Sequence, residues 1–255
     1  MSTEAPLLVF GDDGSPEADV AWLWINNHHW PGWRIEAVTG TTPDPAEHAP
    51  PRPREWTPPW DRSPTAPADI ASLSFLVATG DPRVLLAEHR DAALIVVGSR
   101  GLGHLRAIWK GSTSEWLMHQ PAAPVAVIRS ARPARSALIC VDGSEHSLSA
   151  VRAMARLPLA PDVEATVLAV VDGTVDAGAA TGSAVGLLAH EGVAASELHL
   201  KGRPAKVILD RLRDAPVDLV VLGTRGLTGV DRMKLGSTAA KVVRDAPCSA
   251  LVATV

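Results

Sequence analysis

The chain has 255 residues, a formal net charge of −4 and a pI near 6.1, with no basic run, so we expect no nucleic-acid partner. No stretch approaches the roughly 20 apolar residues of a membrane span, and the N-terminus lacks a charged segment followed by an apolar one. Cys140 and Cys248 lie in apolar runs, which favours free buried thiols in a reducing compartment over a disulfide. We therefore predict a cytoplasmic protein with no membrane partner.

Both halves of the chain open in the same way. An apolar run ends at Asp13-Gly14-Ser15 in the first half and at Asp142-Gly143-Ser144 in the second. Each serine is a suitable N-cap, and Pro16 takes the first helical position after Ser15. The pattern predicts strands at residues 7–10 and 137–141, followed by helices at residues 16–28 and 145–156.

The later elements also come in pairs. We predict second strands at 35–38 and 165–171, third strands at 74–77 and 198–200, helices at 82–90 and 204–213, fourth strands at 94–97 and 219–222, and last strands at 124–128 and 249–253. The strands are continuous apolar runs with helices between them, which indicates parallel strands covered on both faces. The predicted fold is α/β: two tandem five-stranded parallel doubly wound (Rossmann-like) sheets with flanking helices, in domains 1–132 and 133–255.

The connection between the second and third strands differs between the halves. In the first half an irregular insert (about 41–69) carries nine prolines between residues 43 and 67, together with Trp56 and Trp60. Proline at this density excludes a normal helix. A lid, a packing arm for a partner and a wrapped loop are all compatible with it, and we favour the last two because tryptophans favour burial. In the second half we expect irregular chain near 173–183 and a short helix at 184–191.

A glycine motif follows the fourth strand of each half. It consists of G-x2-G, nine residues and G-S, beginning at Gly98 and again at Gly223. A glycine loop that leaves a buried strand and closes onto a helix start exposes backbone N–H groups at the positive end of the helix dipole, where an anion is favoured. One copy of G-x2-G is weak evidence, whereas two full copies in register are strong evidence for phosphate binding, in one or both halves.

Several residues of these loops also have a simpler structural interpretation. Ser112 with Glu115 forms the S-x-x-E capping box, whereas Ser237 has Ala240 at the matching position. Asp13 would also serve as a cap for the first helix. The cations near the loops neutralise phosphate in one interpretation and are solvated surface charges in another that is at least as plausible: Arg100, Lys110, Arg225 and Lys234. The nine histidines show no metal-ligand spacing.

This layout resembles the universal stress protein family in a tandem form, and the long glycine motif resembles its ATP-binding branch. Asp13, Asp142 and the two motifs carry the resemblance. It implies that adenine lies near Asp13 with Val38 and near Asp142 with Val170. It also implies that the phosphates of ATP, with Mg²⁺ where present, contact Gly98, Gly101, Gly111, Ser112 and Thr113 in one half and Gly223, Gly226, Gly236, Ser237 and Thr238 in the other.

The sequence supports binding more than turnover. It contains no G-x-x-x-x-G-K-[ST], no G-x-S-x-G and no residue placed to activate water. We expect a nucleotide-binding regulatory stress-response protein and no enzyme; the alternatives are a nucleotide-free scaffold and a slow ATPase or nucleotidyl transferase. The choice between ATP, AMP and cAMP stays open. The resemblance further implies that the last strands of the two halves pair into an intramolecular pseudo-dimer, with a homodimer as an extension.

Overall fold

The computed structural model describes residues 4–41, 67, 69–99, 117, 123–173, 175–226, 235–253 and 255. In the described part of the first half the elements are β1 (Leu7–Gly11), α1 (Pro16–Asn26), β2 (Arg34–Thr41), β3 (Ser72–Thr79), α2 (Pro82–Glu88), β4 (Ala92–Gly98) and β5 (Val125–Ile128). In that of the second half they are β6 (Ser136–Val141), α3 (Glu145–Ala155), a 3₁₀ turn (Ala160–Asp162), β7 (Glu164–Val171), α4 (Ala177–His190), β8 (Ala195–Lys201), α5 (Pro204–Asp214), β9 (Leu219–Gly223), α6 (Ser237–Asp245) and β10 (Ser249–Ala253).

The strands form one continuous sheet. Over the described residues its ten strands run in the order β3-β2-β1-β4-β5-β10-β9-β6-β7-β8, so each half contributes five parallel strands of the same relative order. The two halves meet where β5 and β10 pair antiparallel, with Leu251 opposite Ala126. The predicted doubly wound fold is confirmed, and the predicted pairing of the last strands occurs within the chain.

Helices cover both faces of the sheet. One buried cluster combines side chains of α1, α3 and α4 with one face, and a second combines α2, α5 and α6 with the other. The first cluster crosses the boundary between the halves, since Trp24 and Trp30 belong to it together with Leu251 of β10. In each half the sheet order reverses between the first and fourth strands, and a crevice at their carboxyl ends is the usual ligand site of such sheets.

His28 ties α1 to the start of the second half. Its Nε2 accepts a hydrogen bond from the backbone N–H of Ala134 at 2.9 Å, and its Nδ1 lies 2.7 Å from the carbonyl oxygen of Trp24. The ring is therefore neutral with its proton on Nδ1. Burial lowers the pKa of His28, outweighing the carbonyl contact that raises it. His28 is 8% exposed and is therefore a core residue that links the two halves.

Both cysteines are buried and free, as predicted. Burial raises the pKa of the Cys248 thiol to about 11 and raises that of Cys140 further. Both sulfurs are therefore neutral thiols at physiological pH.

Helix α4 corrects one prediction. We expected irregular chain near 173–183 and a helix only from 184, but the helix begins at Ala177. Asp176 caps it by accepting from the N–H of Ala179 at 3.1 Å. A Cβ on Gly182 or Gly186 would meet nothing within 4 Å, so these glycines lie on the open side of the helix while small residues pack on the sheet.

Two further observations concern the predictions on partners. The proline-rich segment 43–67 lies outside the described residues except for residue 67, so its predicted role stays a prediction. No helix in the described parts of the chain combines the length and apolar character needed to cross a bilayer.

Candidate functional site

The turn after β6 is attached to the loop after β9. Oδ1 of Asp142 accepts from the N–H of Ser144 at 3.0 Å, across Gly143, whose φ is +82°. The hydroxyl of Ser144 caps α3 by accepting from the N–H of Ser147 at 3.2 Å, and it donates to the carbonyl oxygen of Arg225 at 3.3 Å. The aspartate is thus held at the carboxyl end of β6 by its own turn, beside the second glycine loop.

The first half repeats the same turn after β1. Oδ1 of Asp13 accepts from the N–H of Ser15 at 3.1 Å, and Ser15 caps α1 by accepting from the N–H of Ala18 at 3.1 Å. Gly14 takes a φ of +73°, close to that of its counterpart Gly143. The two aspartates are therefore structural equivalents, which fits the internal repeat.

Packing alone requires a glycine at the first position of each motif, and its contact with phosphate stays a prediction. A Cβ on Gly223 would lie 2.6 Å from the carbonyl carbon of His146, and a Cβ on Gly98 would lie 2.7 Å from that of Glu17. Each fourth strand thus presses against the backbone at the start of a helix, where no side chain fits. The motif predicts contact with phosphate at both glycines. Neither glycine has a positive φ, and the close approach is to helix backbone.

The third glycine of the second motif opens the start of α6. Gly236 is the N-cap, so no side chain accepts from the first N–H groups of this helix. Its own N–H donates to the carbonyl oxygen of Thr224 at 2.7 Å, which fixes the helix start beside the end of β9. Ser237 and Thr238 are the first two helical residues, so their backbone N–H groups and hydroxyls stand together at the positive end of the helix dipole.

A cavity of about 350 Å³ joins these features. Its volume falls within the roughly 300–1,000 Å³ typical of small-molecule sites. It contains every residue predicted for the second half: Asp142, Val170, Gly223, Gly226, Gly236, Ser237 and Thr238. Other lining residues include Cys140, Ser147, Leu168, Asp172, Val175, Pro204, Ile208, Leu222, Thr224, Arg225 and Ala239.

The cavity has an apolar part and a polar part. We call the apolar part the slot and define it by Cys140, Leu168, Val170 and Ile208. The polar part consists of the second glycine loop and the start of α6. Between them stands Asp142, whose carboxylate lies so close to Gly226 that a Cβ there would collide with Oδ2.

Positive and negative side chains lie in different parts of the cavity. Arg225 belongs to the glycine loop, and Asp142 and Asp172 belong to the ends of β6 and β7. Beside them, burial lowers the pKa of His146, and the positive charge of Arg225 lowers it further against the opposing effect of Asp142. The Nδ1 of His146 lies 3.2 Å from the hydroxyl oxygen of Thr224. Arg225 therefore places positive charge at the loop, and the lowered pKa of His146 favours its neutral form.

The structure describes less of the first-half site. Asp13 follows β1, Gly98 ends β4, and Val38 lies within β2, three residues before its end. The other predicted residues of this half lie outside the described residues: Gly101, Gly111, Ser112 and Thr113. Val38 is buried, and the strand register pairs it with Gly11. Its role in binding stays a prediction.

The sequence did not identify the α5 side of the cavity. Pro204 and Ile208 belong to the first turns of α5, and Asp172 follows β7 directly. Asp172 could have been assigned to the site from the sequence, since the carboxyl ends of neighbouring parallel strands meet at one edge of the sheet. Nothing in the local sequence around Pro204 and Ile208 separates a cavity wall from ordinary core.

Within the described residues, no group of three or more His, Cys, Asp or Glu side chains is placed to hold a metal ion.

Fold and site together define a tandem doubly wound α/β protein with a glycine-loop crevice at the point where strand order reverses. The model of the universal stress protein family matches residues 8–129 and again residues 134–254. The chain belongs to this family.

Individual relatives match the chain over a short stretch or at low sequence identity. A universal stress protein of Thermus aquaticus, encoded in the QAH/OAS sulfhydrylase 3′ region, is 49% identical over 55 residues, which are 22% of this chain and 40% of the relative. The crystal structure of a universal stress protein from Archaeoglobus fulgidus is 18% identical with a TM-score of 0.68, and the match covers 97% of this chain and 98% of that one. A universal stress protein solved in complex with cAMP is 20% identical with a TM-score of 0.40, over 48% of this chain and 97% of that one.

Proposed function

We propose that the protein is a nucleotide-binding regulatory stress-response factor that holds ATP in the cavity of its second half. One observation carries the proposal: a single cavity joins an apolar slot to an uncapped helix start on a glycine loop. A flat base needs the first feature and a polyphosphate needs the second. A nucleotide combines both groups in one molecule.

The cavity residues suggest the orientation of the ligand. Adenine would enter the slot against Val170, and the carboxylate of Asp142 would accept hydrogen bonds from the ribose or the base edge. The phosphates would accept hydrogen bonds from the backbone N–H groups of Ser237 and Thr238, because no side chain caps this helix start. Arg225 would offset part of the phosphate charge. Mg²⁺ would arrive bound to the phosphates.

The side chains that line the cavity support nucleotide binding with a conformational or partner response, rather than nucleotide hydrolysis. Of the acids that line the cavity, Asp142 is held by the N–H of Ser144 in its own turn and would contact the ribose or the base edge, and Asp172 follows the strand that carries Val170. Slow hydrolysis is the enzymatic alternative, and a nucleotide-free scaffold is the other. The cytoplasmic location and a homodimer beyond the intramolecular pairing stay predictions.

Thermal unfolding tests the proposal on the intact chain. At an ATP concentration of about 100 times the dissociation constant, binding to the folded state alone adds about 2.7 kcal/mol, which corresponds to a rise in Tm of roughly 5–10 °C. AMP and cAMP share the base and ribose with ATP, and their effects on the Tm are measured in the same way. Adenosine and inorganic triphosphate each fill only one part of the cavity, so both should give smaller shifts than ATP. If no nucleotide raises the Tm, the scaffold function replaces this one.

A further inference from the structure

The strand register shows which residues of the two halves correspond. Phe10 of β1 pairs with Ala37, and its counterpart Ile139 of β6 pairs with Val167. Ala37 of β2 therefore corresponds to Val167 of β7, and three residues further along each strand Gly40 corresponds to Val170. The residue at the base-contacting position of the first half is therefore Gly40, and the predicted Val38 corresponds to Leu168.

Helix α2 approaches the sheet at Gly40 more closely than α5 approaches at Val170. A Cβ on Gly40 would lie 2.9 Å from Cβ, 3.0 Å from Cα and 3.1 Å from N of Pro82. Pro204 holds the place of Pro82 in the second half, and there Pro204 and the Val170 side chain both line the open cavity. Because the obstructing atoms at Gly40 include backbone, a rotamer change does not relieve the contact.

A second pair of positions repeats this difference. Gly11 corresponds to Cys140, and Leu86 of α2 corresponds to Ile208 of α5. A Cβ on Gly11 would lie 2.9 Å from Cδ1 of Leu86 and 3.1 Å from Cγ1 of Val97. Leu86 and Ile208 are buried alike, at 2% and 3% exposed, so the difference lies at Gly11, where Cδ1 of Leu86 takes the space that the Cys140 side chain needs in the second half.

We infer that the chain binds one nucleotide, in its second half, and that Gly11 and Gly40 are the residues that close the first-half slot by admitting α2 onto the sheet. This inference rests on the proposed function. It is independent of the first glycine motif, because it concerns the place of the base and not that of the phosphates. The repeated motif alone leaves one or two sites per chain open, and the closed first-half slot selects one.

Isothermal titration of the full chain with ATP measures that number directly. We expect one site per chain. Photolabelling with 8-azido-ATP, which crosslinks through the base, should label peptides from residues 133–255 only. All eight tryptophans precede residue 117, so binding in the second half should change their emission little.

The outcomes separate this inference from the proposed function. Two sites per chain, or label in both halves, would overturn the single-site inference and leave nucleotide binding intact. A single site labelled only in the first half would overturn the inference and the site assignment together. Absence of any binding would overturn the proposed function and this inference with it.

Discussion

Gly236→Val is expected to reduce the affinity for ATP by about 100-fold or more. A Cβ on Gly236 would lie 3.3 Å from the carbonyl oxygen of Thr224 and 3.5 Å from Cα of Arg225, so the valine side chain would fill the gap between the helix start and the glycine loop. Losing two hydrogen bonds from the helix start to a charged group, each worth about 1.5–3 kcal/mol, corresponds to at least that factor. Gly236 has a φ of −61° and a ψ of 149°, which valine adopts readily. Isothermal titration against wild type measures the loss.

Lys241→Val is the matched control. It places the same side chain on an exposed position of α6 outside the cavity, and it removes an exposed ion pair with Asp245 that contributes little. Its ATP affinity should equal that of wild type. If Gly236→Val folds with an unchanged circular dichroism spectrum and still binds ATP like the control, the helix start is not the phosphate site.

Gly223→Ala is expected to lower the free energy of unfolding by about 1–3 kcal/mol, the typical cost of forcing extra atoms into a packed core. Its Cβ would lie 2.6 Å from the carbonyl carbon and 2.7 Å from the carbonyl oxygen of His146, so strand and helix must move apart. The same change at Gly182, on the open side of α4, should raise the free energy of unfolding by up to about 1 kcal/mol, because alanine is the better helix former. Urea unfolding of both variants without nucleotide measures the difference.

The absence of nucleotide in that comparison is essential. If Gly223 serves the fold, its substitution lowers stability without any ligand present. If Gly223→Ala unfolds like wild type and loses only nucleotide affinity, the glycine is a ligand-binding residue and the packing explanation is wrong.

Much of the fold was predictable because each half repeats the same local signals. Turns at Asp13-Gly14-Ser15 and Asp142-Gly143-Ser144 mark a strand end and a helix cap, and apolar runs mark strands buried on both faces. Helix α4 was misjudged because glycine lowers helix propensity. The cap at Asp176 and the packing of a small-residue stripe on the sheet outweigh that propensity, and both are tertiary or capping effects.

The site was predictable to the extent that it depends on strand ends. Asp142 and the second glycine loop meet because β6 and β9 are adjacent, and the repeat implied that adjacency. The role of Gly223 was not predictable, since a glycine required for helix packing and a glycine required for phosphate look alike in sequence. The α5 wall and the closed first-half slot depend on how far a helix stands from the sheet, which local sequence does not encode.

The most direct measurement is the response of assigned backbone amide resonances to ATP. The account predicts that the N–H signals of Gly226, Gly236, Ser237, Thr238 and Ala239 shift strongly and saturate together, while those at the carboxyl ends of β1 and β2 in the first half stay in place. Saturable binding that leaves the signals at the start of α6 unmoved would contradict it.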